Sequence, residues 1–327
     1  MQANSFIRRS VIVLGLLATL LAACAPTPPA ESTTAPVEPV TLKIAVLPIM
    51  DNLPMYVAEQ EGLFEAYNLK VEFIPVASAA ERDQVIASGQ ADGMINEVVS
   101  AHLYNKDQIQ IQIVRFSRTA TSASPQYYIL ASGQSGITTV EGLKGIEIGI
   151  SQGTVIEYIT DRLLQAEGLS SGDIKTIAVP SIADRMSLLS AGELNAATLP
   201  DPLSFLAIQQ GAVIVLDDSK HPEFGYSTLS FRKQVIDQNP AAIRAFLAAV
   251  EEATKMINND PTKWETLLVE RQLVPQPLMG TYQVPPYPNA SVPSQAQWED
   301  VSAWMKEKGL LEQDVSYSDS VNASFLP

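Results

Sequence analysis

Thr41-Leu42-Lys43-Ile44-Ala45-Val46-Leu47 opens a stretch that continues through Pro54-Met55-Tyr56-Val57-Ala58-Glu59-Gln60 and Leu69-Lys70-Val71-Glu72-Phe73-Ile74 to Asp92-Gly93-Met94-Ile95-Asn96. The first segment alternates apolar and polar residues, which is strand periodicity. Pro54 suits a first helical position, and the helix it starts stops at Gly62. Leu69 to Ile74 reads as a second strand, Ala80 to Ser88 as a helix stopped by Gly89, and Asp92 to Asn96 as a short third strand. The order βαβαβ implies parallel strands joined by right-handed crossovers.

The same order returns further along the chain. Ile146 to Ile150 is a strand and Thr154 to Glu167 a helix, with Gly168-Leu169 echoing Gly62-Leu63. Ile174 to Pro180 echoes the strand ending at Pro75, and Ala183-Asp184-Arg185 echoes Ala80-Glu81-Arg82. Asn195 to Leu199 answers Asp92 to Asn96. Two such α/β lobes place a cleft between them. Gln126 to Leu130 and Tyr226 to Phe231 are short, aromatic and β-prone, and read as the crossings where a hinge flexes. Beyond Pro240 the chain turns helical, and Gln295 to Lys308 is an amphipathic helix with Trp298, Val301, Trp304 and Met305 on its core face.

Ahead of this lies a targeting segment. Arg8 and Arg9 precede the apolar run Val11 to Leu21, which ends in Leu21-Ala22-Ala23-Cys24. That ending resembles the bacterial lipobox, which implies an export signal over residues 1–23 with Cys24 as the lipid-bearing new N-terminus; the alternative is an ordinary cleaved signal with a chance cysteine. A Pro/Ser/Thr-rich tether follows over 24–40. Residues 41–130 with 226–327 form the first expected lobe and 131–225 the second.

Composition narrows the functions. Among 327 residues, 46% are hydrophobic and 17% charged, an ordinary globular balance. The net charge of -15 and the lack of a basic run argue against nucleic-acid binding. The chain has one cysteine and two histidines, His102 and His221, too few for a cysteine- or histidine-rich metal site, so neither metal nor cofactor is expected. Membrane attachment of so acidic a protein must come from lipid, not from charge.

The lipobox, the run from Pro48 through Asn52-Leu53-Pro54 to Gly62-Leu63-Phe64, Leu69-Lys70-Val71-Glu72, Ser88-Gly89-Gln90-Ala91-Asp92-Gly93, Leu143 to Gly149 and Gly153-Thr154 together resemble an ABC-importer solute-binding protein. The similar group is the nitrate/sulfonate/taurine and thiamine-precursor binding family, which includes riboflavin-binding members. The resemblance implies a type II periplasmic-binding fold, an α/β architecture of two hinged lobes closing on one small molecule. It also implies a permease and a separate ATPase as partners. No GxxxxGK[ST] motif is present, so energy must come from another chain. The protein is expected as a monomer, lipid-anchored on the extracytoplasmic face of the cell membrane. Catalysis of the thiamine-pyrimidine synthesis type, found in relatives, implies an active-site histidine and a cysteine-rich segment; Cys24 is the only cysteine, and His102 and His221 lack neighbouring partners, so a non-enzyme is expected.

In parallel α/β lobes ligands sit beyond the carboxyl ends of strands, beside helix N-termini. Four loops qualify. Asn52 is a helix cap or a ligand contact, and Tyr56 is core or a stacking face. Asn96 and Glu97 end the third strand, with Glu97 either solvated or turned to the cleft. Ser151, Gly153 and Thr154 offer hydroxyls and backbone N–H groups, or simply cap a helix, and Glu157 lies one turn on. Asp201 is held between Pro200 and Pro202 in a rigid turn. Of Tyr127 and Tyr128, at most one faces the cleft. These loops hold no basic residue, and Arg115 and Arg118 are the obvious cations nearby. Carboxylates, amides and tyrosines suit a polar heterocycle, so riboflavin or a thiamine-type pyrimidine is expected ahead of sulfonate, taurine or nitrate.

Overall fold

The structure, a computed structural model, describes residues 38–327. The export signal, Cys24 and most of the tether fall outside the described residues. In chain order the first elements are β1 (Val40–Val46), α1 (Leu53–Gln60), β2 (Leu69–Pro75), α2 (Ala79–Ala87), β3 (Gly93–Asn96), α3 (Val98–Asn105) and β4 (Ile111–Thr119). There follow β5 (Tyr127–Ala131), β6 (Glu147–Ile150), α4 (Val155–Ala166), β7 (Lys175–Ala178), α5 (Ile182–Ala191), β8 (Ala196–Pro200), α6 (Leu203–Gln209), β9 (Val213–Asp217) and β10 (Tyr226–Arg232). Two longer helices follow, α7 (Pro240–Asn259) and α8 (Gln295–Glu307), with shorter helical segments beside them. Among the described residues no helix is long and apolar enough to cross a membrane.

Both βαβαβ units form as the periodicity predicts. β1 pairs parallel with β2 and β3, and β6 pairs parallel with β7 and β8. The strand orders, β2-β1-β3-β10-β4 and β7-β6-β8-β5-β9, correspond position by position. Each sheet with its helices forms a lobe.

One expectation changes. The aromatic stretches read as crossings are themselves strands, each inserted antiparallel as the fourth member of a sheet. β5 lies between β8 and β9, and β10 lies between β3 and β4. Residues 127–131 therefore pair within the second sheet. The reason is burial: every residue of β5 is buried, and pairing along both edges satisfies its backbone polar groups. The chain crosses between the sheets in residues 120–126 and returns in 218–225. These segments run side by side. Ala120 N–H donates to Gly225 O (2.6 Å), and the Asp218 carboxylate accepts from the N–H groups of Gln126 (2.8 Å) and Tyr127 (3.2 Å).

Helix α7 packs on α1 through an apolar face that includes Ile243, Phe246, Leu247 and Val250. Helix α8 starts in a capping box formed by Ser294 and Gln297, which satisfies donors at its first turn. Its expected core face, Trp298, Val301, Trp304 and Met305, is buried. That face meets both lobes. Trp298 stacks on His102 of α3 with ring centroids 3.8 Å apart, and Trp304 Nε1 donates to Asp161 of α4 (2.8 Å). Burial pushes the His102 imidazole down to about 4, so it stays neutral in this contact.

Candidate functional site

A cavity of about 70 Å3 lies between the lobes. Its first-lobe wall comes from the loop after β1 (Leu47, Ile49, Asp51), the start of α2 (Ala79, Arg82) and the end of β3 (Ile95, Asn96, Glu97). Its second-lobe wall comes from Ser151, the start of α4 (Thr154, Val155, Ile156), and Pro180, Ile182 and Arg185 at α5. Gln126 of the first crossing and Tyr127 at the start of β5 also line it. Strand ends and helix starts converge here because each βα unit turns at the carboxyl edge of its sheet.

Of the residues expected at the site, Asn96, Glu97, Tyr127, Ser151 and Thr154 line this cavity. Tyr127 is the tyrosine that faces it. Tyr128 points to the other side of the sheet and meets the edge of Phe205 at 5.5 Å. Five expected residues lie outside the wall. Asn52 is fully buried, and its amide donates to Leu47 O. Tyr56 packs edge-on against Phe73 (4.8 Å) with the Arg271 guanidinium over its ring. Gly153 donates its N–H to Glu157 Oε2 (2.7 Å), and Glu157 also pairs with Lys308 (2.8 Å). Asp201 pairs with Arg118 (2.8 Å) and accepts from Tyr282 Oη (2.6 Å).

The expected cations are committed elsewhere. Arg115 pairs with Glu251 at 2.9 Å. Burial works against the Arg118 charge, but Asp201, Tyr282 and Asp51 outweigh it and push its pKa above the usual value. Neither arginine lines the cavity. Two others do, Arg82 and Arg185, the pair that the internal repeat aligns. Loop reasoning passed over them because they lie inside helices α2 and α5, about a turn past each N-cap. The signal was present in the repeat itself, since both copies carry arginine at the corresponding place.

The two arginines differ in their partners. Arg82 Nη2 donates to Glu97 Oε1 (3.3 Å), and its Nε donates to Asp83 (2.9 Å). Burial disfavours the Arg82 charge, but Asp83 and Glu97 outweigh it and hold its pKa above the usual value. Arg185 meets carbonyls only. Its Nε donates to Thr198 O (2.8 Å) and its Nη1 to Val179 O (2.6 Å), while Nη2 has no partner. Burial without a carboxylate pulls its pKa down to about 10, and it still carries its proton at neutral pH.

The neutral groups are also oriented. Asn96 Oδ1 accepts from the hydroxyls of Thr228 (2.9 Å) and Ser230 (2.7 Å), so Nδ2 is left without a partner. Gln126 Nε2 donates to Asp51 Oδ1 (3.0 Å), leaving Oε1 free. Asp51 also accepts from the Ser227 hydroxyl. Glu97 caps α3 by accepting from Ser100 N–H (2.8 Å). Among the described residues, no histidine or cysteine lines this cavity. The arrangement can hold a small polar molecule through fixed donors and one acceptor.

Comparisons with known proteins agree with this architecture. The family model described as "NMT1/THI5 like" matches residues 50–264. A Haemophilus influenzae protein whose provisional name assigns it to thiamine biosynthesis is 24% identical over 222 residues, covering 67% of this chain and 69% of its own. The nitrate/nitrite binding protein NrtA of Synechocystis is 26% identical over 270 residues, covering 73% of this chain and 58% of its own. Among solved structures, the alkanesulfonate-binding protein SsuA of Xanthomonas axonopodis, bound to MOPS, superposes with a TM-score of 0.73 at 18% identity. That match covers 88% of this chain and 99% of the other.

Proposed function

The chain belongs to the NMT1/THI5-like family, and from that premise we propose that it is the solute-binding subunit of an ABC importer. It captures one small polar solute outside the membrane and delivers it to a permease driven by a separate ATPase. The observation that carries this reading is a cavity lined by both lobes, with polar groups from each. A ligand that touches both walls favours the closed arrangement by its differential affinity for it, while residues 120–126 and 218–225 flex.

The size of the cavity bears on the ligand. At about 70 Å3 it falls well below the roughly 300–1,000 Å3 of pockets that hold drug-sized molecules. A compact solute of the sulfonate or nitrate kind fits this space better than a flavin, which reverses the order of preference drawn from the loop residues. Relatives carry sulfonate- and nitrate-binding names.

The anchoring reading assigns lipidation to Cys24. Cys24→Ala is expected to release the protein from the membrane fraction or leave an unprocessed precursor, and labelled fatty acid entering the variant would count against it. For the importer reading, small-angle scattering of the full chain is expected to show a smaller radius of gyration once an alkanesulfonate, nitrate or a hydroxymethylpyrimidine saturates it. An unchanged radius and no heat of binding with all three would overturn the reading.

A further inference from the structure

We infer that Arg185 is the specificity-determining residue of the cavity and that the solute presents to it an anionic oxygen group, of the sulfonate, carboxylate or nitrate kind. This deepens the importer reading and rests on it. Each carboxylate that lines the cavity already has donors: Glu97 takes Arg82 Nη2 and Ser100 N–H, and Asp51 takes the Gln126 amide and the Ser227 hydroxyl. Arg82 is neutralised by Glu97 and Asp83. Arg185 is fully buried and has no carboxylate partner among the described residues. A buried guanidinium without a counter-charge is costly, and an anionic solute would supply one.

Hydrogen bonding points the same way. The buried donors without a partner at the wall are Arg185 Nη2 in the second lobe and Asn96 Nδ2 in the first, and the neutral hydroxyls of Tyr127 and Ser151 stand beside them. The first turns of α2, α4 and α5 border the same space, with Ala79, Val155 and Ile182 in the wall. Helix N-termini carry partial positive charge and free N–H groups, which favour an anion. Arg185 stands in the second lobe and its repeat counterpart Arg82 is quenched in the first. The anionic group therefore binds chiefly to the second lobe, and closure adds the Asn96 amide.

The test uses the full chain in detergent, with binding measured by titration calorimetry. Methanesulfonate and methanesulfonamide have nearly the same shape and differ in charge, as do propionate and propionamide. At least one anion is expected to bind about 10- to 150-fold tighter than its amide, the range of a hydrogen bond to a charged group. Arg185→Gln is expected to erase that preference and Arg185→Lys to keep part of it, with both variants melting as single transitions. Equal affinities within each pair in the wild-type protein would overturn the inference without any variant. So would an Arg185→Gln variant that folds and keeps the preference. Binding of the amides or of hydroxymethylpyrimidine alone would overturn the anion and leave the importer reading standing.

Discussion

Gly225 has a small but exacting task. A methyl group at its Cα would stand 1.8 Å from Asp218 Oδ2, where that carboxylate gathers the N–H groups of Gln126 and Tyr127. Gly225→Ala must push the carboxylate away, and denaturant unfolding is expected to show a loss of about 1–3 kcal/mol, the usual cost of overpacking. Asp218 itself makes stability depend on pH. Burial raises its carboxyl from 3.8 to about 7, against the pull of its two backbone donors. The folded state therefore holds an extra proton between these values. The contribution is complete below about pH 4 and is lost as the pH rises through 7, at most about 4 kcal/mol in size. Asp218→Asn is expected to flatten the decline in melting temperature over that window, and a slope equal to the wild type would place the titration elsewhere.

Elements with strong periodicity were legible in the sequence, and the partners of side chains were not. The two βαβαβ units, the core face of α8 and the strand-end placement of Asn96, Glu97, Ser151 and Thr154 all follow from local pattern. Asp201 shows what local pattern misses. Its rigid turn was visible, but the Arg118 and Tyr282 that engage it come from distant parts of the chain. Glu157 likewise finds Lys308 across a sequence gap no spacing rule bridges. The antiparallel insertion of β5 and β10 was hidden for a related reason: strand propensity gives no direction, and only pairing with non-neighbouring strands sets it. At this scale α8 offers a test. Trp304→Phe keeps the ring packed near Tyr158 but removes the N–H that Asp161 accepts. A loss of about 1–3 kcal/mol in unfolding free energy is expected, with solute affinity unchanged. A variant as stable as the wild type would show that Lys308, 3.0 Å from Asp161, replaces the bond.

Across the whole molecule, Arg118 of β4 in the first sheet joins Asp201, which follows β8 of the second. Asp51 and Tyr282 add to its field. Removing the cation leaves Asp201 and Asp51 buried without it, and breaking such a pair costs about 3–5 kcal/mol. Arg118→Met is expected to lower stability by that order in chemical denaturation, and a neutral outcome would mean that Asp201 takes a proton in its place. The side-by-side crossings also have an evolutionary consequence. Asp218 N–H donates to Tyr127 O, so the points where the chain enters and leaves the second sheet touch. Residues between them are an insert with adjacent ends, the geometry that lets one piece of a protein be exchanged without disturbing its host. Arg185 lies inside that insert and Asn96 outside it. If Arg185 selects the solute, a change of cargo can arrive by grafting the insert alone, with the host half supplying the same Asn96 amide to whatever the newcomer selects.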